Sequence, residues 1–174
     1  MTSPRSDAKT INDLIAKLND SEGSVREEAR SALVEMGTVS IPSLIKALES
    51  KQEQVRWEAA KALISLPDND AVPALVKTLQ DKVFDIRWLA AEALIAIGKG
   101  SIEPLLQALI EHSKDSFLRQ GAHHVITYVI PREPNPEVLA DILKPVENAL
   151  DGLAPRATVA IAAKTALDRM RHSI

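Results

Sequence analysis

The chain has 174 residues, of which 45% are hydrophobic, 26% charged and only 3% aromatic, with a formal net charge of −3 and no cysteine. Such a composition belongs to a folded protein built from small and branched aliphatic residues; it rules out disulfide and thiol chemistry and offers no basic face of the kind nucleic acid requires. The opening Met1-Thr2-Ser3-Pro4-Arg5-Ser6-Asp7 has no signal-peptide core, and no run reads as a membrane span, so the expected location is cytoplasmic, with neither membrane nor nucleic acid as partner.

Taken in chain order, the elements come in pairs. Ile11, Leu14, Ile15 and Leu18 form the apolar stripe of a first helix, and Val25-Arg26-Glu27-Glu28-Ala29-Arg30-Ser31-Ala32-Leu33 opens a second that stops at Gly37. Ile41, Leu44, Ile45 and Leu48 begin the next pair, followed by Val55-Arg56-Trp57-Glu58-Ala59-Ala60-Lys61-Ala62-Leu63 up to Pro67. Val72, Leu75, Val76 and Leu79 lead to Ile86-Arg87-Trp88-Leu89-Ala90-Ala91-Glu92-Ala93-Leu94 and Gly98. Ile102, Leu105, Leu106 and Leu109 lead to a looser copy, Leu118-Arg119-Gln120-Gly121-Ala122-His123-His124-Val125-Ile126, ending at Pro131.

Pro42, Pro73 and Pro104 fall in first turns, where a missing N–H costs little. Ser24-x-x-Glu27 and Ser50-x-x-Glu53 read as capping boxes for the second helices. A last pair is degenerate: Pro136 opens a helix striped with Val138, Leu139, Ile142 and Leu143, Pro145 predicts a break near Leu143 and Lys144, and Pro155 opens a helix in which Ala160 replaces the arginine. Equivalent arginines recur at intervals of roughly thirty residues, the period of stacked helical hairpins. The expected fold is all-α: a right-handed α-solenoid of about five hairpins forming one domain over 1–174, with repeats near 8–37, 38–67, 68–98, 99–131 and 132–174, the last a cap.

The prolines of the first helices, the turn aspartates Asp20 and Asp81 and the arginines that follow them resemble the short bacterial HEAT repeats found in subunits of phycobilin lyases. The resemblance implies that Asp20, Arg26, Arg56, Asp81, Arg87 and Arg119 hydrogen-bond from turn to turn as a structural ladder. It also implies that the second helices line a concave face.

Projected at 100° per residue, that face carries three rows: Glu27, Trp57, Trp88 and Gln120; Arg30, Ala60, Ala91 and His123; Val34, Ile64, Ile95 and Thr127. Trp57 and Trp88 are expected to anchor a protein or peptide, Ile64 and Ile95 to form the floor, and Glu27, Arg30, Lys61, Glu92, Gln120 and His123 to set register, in a monomer or weak homodimer. His123 and His124 point about 100° apart on a helix and so do not make a metal pair, and His124 is expected to be a solvated neighbour of the groove. No phosphate loop, zincin motif or Ser/His/Asp signature is present, so the chain is expected to be a binding scaffold with no catalytic residues and no cofactor. The resemblance supplies two alternatives, a lyase-like subunit whose apolar groove holds a tetrapyrrole and a DNA-binding protein, the latter opposed by the net charge.

Overall fold

The computed structural model describes residues 4–151 and 155–172. Among the described residues the chain forms helices α1 (Pro4–Lys17), α2 (Gly23–Glu35), α3 (Ile41–Ala47), α4 (Glu53–Ile64), α5 (Val72–Thr78), α6 (Phe84–Ile97), α7 (Ile102–Glu111), α8 (Ser116–Val129), α9 (Pro136–Asp151) and α10 (Arg156–His172). Helices α3 and α5 have only seven residues each, too short to persist alone, and they exist because their stripes are buried. Leu44, Leu75, Leu105 and Leu109 are fully covered, as are Leu33, Leu63, Ile86 and Leu94 on the second helices. Gly37 (φ 68°) and Gly98 (φ 78°) end α2 and α6 in the left-handed region, where a Cβ would be strained.

The second helices α2, α4, α6 and α8 stack side by side in one layer, while α1 packs on α3 and α5 on α7 in the other. Alanine makes the second layer tight: Ala59, Ala60 and Ala62 of α4 and Ala90, Ala91 and Ala93 of α6 are all buried.

Each of the first three hairpin turns is closed by an arginine from the helix that follows it. Arg26 Nη1 donates to Asp20 O at 2.8 Å, Arg56 Nη1 to Ser50 O at 3.0 Å and Arg87 Nη1 to Asp81 O at 2.8 Å. Within the same turns Asp20 Oδ1, Ser50 Oγ and Asp81 Oδ1 accept from the backbone N–H of Glu22, Gln52 and Val83. This arrangement replaces the expected capping boxes. Ser24 lies inside α2, whose N-cap is Glu22, and α4 is preceded by Gln52, neither cap residue making a side-chain hydrogen bond. Two arginines also reach across to another repeat: Arg56 forks onto Asp81 at 2.6 and 3.1 Å, and Arg26 Nε reaches Glu58 Oε1 at 3.3 Å.

Three other expectations are corrected. Phe84–Glu111 reaches the length and apolar content of a membrane span, but Gly98 divides it into α6 and α7, whose stripes are buried against neighbouring helices. Helix α9 runs through Pro145 without a break, because Leu139, Ile142, Leu143, Val146 and Ala149 keep one face buried on both sides of the proline. The last hairpin is also placed differently: α9 packs against α8, and α10 against α7, so the two helices exchange layers relative to the preceding units. The exchange is made in the proline-rich connector, where Glu133 is extended and its Oε1 accepts from the Lys99 backbone N–H at 3.0 Å, tying the connector to the α6–α7 turn. Arg171 to Glu103 at 2.6 Å and Arg169 to Asp141 at 2.6 Å pin α10 to α7 and to α9.

Burial disfavours the charged form of Asp81, but the hydrogen bonds from Arg56 and from the Val83 N–H outweigh it and hold the carboxyl below the usual range. A lowered folded value contributes stability above the unfolded value of about 3.9 and loses it as pH falls through the folded one. Asp81→Asn is therefore expected to cost about 2 kcal/mol at neutral pH, with the gap to the parent closing below about pH 4. Urea melts at pH 7 and pH 3 check this; a gap that does not change with pH contradicts it.

Candidate aromatic groove on the second-helix layer

Two stripes meet across the α6–α8 seam. Phe84 and Trp88 are one turn apart on α6, and Phe117, Gly121, His124 and Tyr128 follow one another at helical spacing on α8. Together they bring every aromatic residue of the chain except Trp57 to one place. Trp88 is 47% exposed, Phe84 55%, Phe117 41% and Tyr128 51%, a concentration of open apolar surface that a folded monomer rarely leaves without use. The groove between them has a volume of about 270 Å³.

Its rings are ordered. Trp88 meets the His124 imidazole at a tilt of 39° with 4.4 Å between centroids, His124 meets Tyr128 at 51° and 4.7 Å, and Phe84 stacks on Trp88 at 6.4 Å, close contacts of the kind in which ring pairs attract. Arg87, whose Nη1 is occupied by the turn, lays its guanidinium 3.9 Å from the Phe117 ring and 5.5 Å from that of Phe84. His124 Nε2 lies 2.9 Å from Glu92 Oε1, so a carboxylate of α6 fixes the imidazole between its two flanking rings. Such a site can hold a planar conjugated ligand and offer it a positioned imidazole.

Gly121 sets the bottom of the groove. A Cβ placed there would come within 2.8 Å of Leu79 Cδ2, a side chain with no exposed surface, so glycine lets α8 close over the core.

The expected concave floor is divided. Trp57 is half-buried on α4 with Lys61 Nζ 4.6 Å above its ring. It opens into a separate, charged depression with Glu27, Arg30, Glu53 and Asp85. Ile95 is only 3% exposed and Ile64 half-buried, so Ile95 is core rather than floor; the alanines let α4 and α6 approach until Ile95 is covered. Arg30 pairs with Glu58, a carboxylate only 3% exposed that also accepts from Arg26 and from Gln54. Glu27 stays exposed, 3.8 Å from Arg30.

Gln120 and His123 line the aromatic groove, and His123 Nε2 is held 2.8 Å from Asp151 Oδ1 of α9. Phe84, Phe117 and Tyr128 were not singled out from the sequence, and His124, expected to be a solvated neighbour, is instead largely covered between Trp88 and Tyr128. Its turn-spaced neighbours Phe117 and Tyr128 were the available signal. Among the described residues no cluster of three or more histidine and carboxylate side chains is placed to hold a metal.

A model for HEAT repeats matches residues 41–127, half of the chain, and one for the PBS lyase HEAT-like repeat matches residues 25–50. The chain belongs to the HEAT-repeat family. A chain in the complex of CpcE and CpcF of phycocyanin lyase from Nostoc sp. PCC7120 is similar in fold, with 21% identity and a TM-score of 0.60, over 92% of this chain and 99% of that one. An engineered protein matches at 22% identity over 96% of this chain and 81% of that one (TM-score 0.47), and a designed armadillo repeat protein at 16% over 91% and 98% (TM-score 0.40). No curated protein sequence matches this HEAT-repeat chain.

These likenesses overturn the expectation that the chain is not an enzyme. The matched repeat is named for a lyase, and a phycocyanin lyase chain has the same fold over almost its whole length. A scaffold of this kind thus occurs in a lyase, and the lack of a phosphate loop, triad or metal motif does not exclude catalysis.

The exposure of Trp88 has a direct optical consequence. In the Trp57→Phe variant, whose emission comes from Trp88 alone, iodide should quench strongly, and more than in Trp88→Phe. Trp88→Ala should cost under about 1 kcal/mol of stability, against about 3 to 5 for a buried aromatic. Quenching of the two variants to the same extent, or a large loss of stability, would contradict this description of the groove.

Proposed function

We propose that this HEAT-repeat protein handles a linear tetrapyrrole, or a conjugated molecule much like one, in a phycobilin-lyase-like role. The observation that carries the reading is the gathering of Phe84, Trp88, Phe117, Tyr128 and His124 around one open groove, in a chain whose repeat is described as PBS lyase HEAT-like. Planar conjugated rings lie well against offset aromatic faces, each such contact contributing about 0.5 to 1.5 kcal/mol beyond burial. A volume of about 270 Å³ lies just below the usual range for a ligand pocket, so the groove takes part of an elongated molecule and leaves the rest along the face. The charged depression around Trp57 and Lys61, with Glu27 and Arg30 beside it, suits the rim of a contact with a protein or peptide.

Mixing the protein with biliverdin, a linear tetrapyrrole, is expected to shift its absorption and induce circular dichroism. Trp88→Ala and Phe117→Ala should each raise Kd about tenfold, and Trp57→Ala should leave it nearly unchanged. Absence of a spectral change, or equal losses in all three variants, would overturn the reading.

A further inference from the structure

Arg119 is the fourth arginine of the ladder and the one that has lost its partners. Arg26 is held by Asp20 O, Ser21 O and Glu58, and Arg56 by Ser50 O and Asp81. Arg87 is held by Asp81 O and two phenyl rings. The turn before α8 is built differently. Helix α7 is ten residues long, and Asp115 spends its carboxylate on the N–H groups of Phe117 and Leu118, both at 2.9 Å. That carboxylate is therefore committed to capping α8. Among the described residues the Arg119 guanidinium makes no hydrogen bond or ion pair, and its Nε is buried without an acceptor. A guanidinium is charged at every relevant pH and carries only donors, so the half-buried Arg119 has a buried N–H without an acceptor and a positive charge without a partner.

The space beside it is open. Arg119 lines a depression of about 400 Å³ with Ser116, Phe117, Gln120, His123 and Leu150. Phe117, Gln120 and His123 also line the aromatic groove, so the two are continuous across one turn of α8. The Asp151 carboxylate, which follows Leu150 in the chain, is engaged by His123 at 2.8 Å. We infer that Arg119 is the receptor for a carboxylate of the ligand, and that the ligand is a conjugated acid whose rings lie between Trp88 and Phe117 while its carboxylate reaches Arg119, with the Ser116 hydroxyl and Gln120 amide as further donors. This rests on the proposed aromatic-groove function and adds the ligand's charge to it.

Biliverdin and its dimethyl ester share one conjugated body and differ in their two carboxylates, and pyrenebutyrate against pyrenebutanol poses the same question without a tetrapyrrole. The parent protein is expected to prefer each acid over its neutral counterpart by about tenfold. Arg119→Gln should abolish the preference, Arg119→Lys should keep part of it, and Trp88→Ala should weaken acid and neutral forms alike. Thermal melts confirm that the variants fold, which the missing contacts of Arg119 lead one to expect.

Equal binding of acid and neutral forms by the parent, a preference that survives Arg119→Gln, or no binding of either pyrene overturns the inference. Failure of both biliverdin forms while pyrenebutyrate still binds through Arg119 sinks the tetrapyrrole reading and leaves the carboxylate receptor standing.

Discussion

The hydrogen bond from an arginine back to the carbonyl six residues earlier, made by Arg26, Arg56 and Arg87, is the contact on which the regular part of the fold depends. It closes a hairpin turn with a side chain that starts inside the following helix, so turn and helix form as one unit. The same guanidinium then has donors left over for a neighbouring repeat, as Arg56 shows with Asp81. One residue thus fixes both the local bend and the spacing of successive units, and because Arg56, Asp81 and Glu58 are largely buried, losing one partner of such a pair costs more than losing an exposed ion pair. Where the contact is absent, at Arg119, the stack also stops being regular.

The alanine layer works with this ladder. Small side chains at Ala59, Ala60, Ala90 and Ala91 let the second helices approach closely, which removes Ile95 from the surface and moves the open apolar area to the seam between α6 and α8. That seam carries large rings on both sides, and they hold it apart at its outer edge while Gly121 lets it close beneath. Groove and core are therefore products of the same distribution of side-chain sizes.

Much of this was legible in the sequence. The period, the paired stripes, the buried leucines and the turn-to-helix arginines all follow from local patterns that repeat, and repetition makes each one checkable against the others. The site was less legible, because a repeat alignment gives Trp57 and Trp88 the same address although their neighbours differ: Lys61 lies over one ring and His124 lies tilted against the other. A wheel projection sees one helix at a time and cannot supply that neighbour. The exchange of α9 and α10 escaped for a related reason. An alanine-rich stripe such as Ala162, Ala163 and Ala166 fits either layer, and only the path of the connector through Pro131, Pro134 and Pro136 decides between them.

The approach of α8 to Leu79 at Gly121 has a consequence for how this protein can change. The depth of the groove is set from below by a fully buried leucine and not by the ring-bearing walls. Enlarging Leu79 would press α8 outward, and shrinking it would leave a void under the groove that costs folding energy. Ligand size and thermal tolerance therefore share one determinant, and a lineage diversifying its ligand would meet a stability threshold sooner at this position than at the exposed rings. Substitution at Phe84, Trp88, Phe117 and Tyr128 is the less constrained route, which makes the rim the place where related proteins can diverge in specificity while the spine of the stack stays the same.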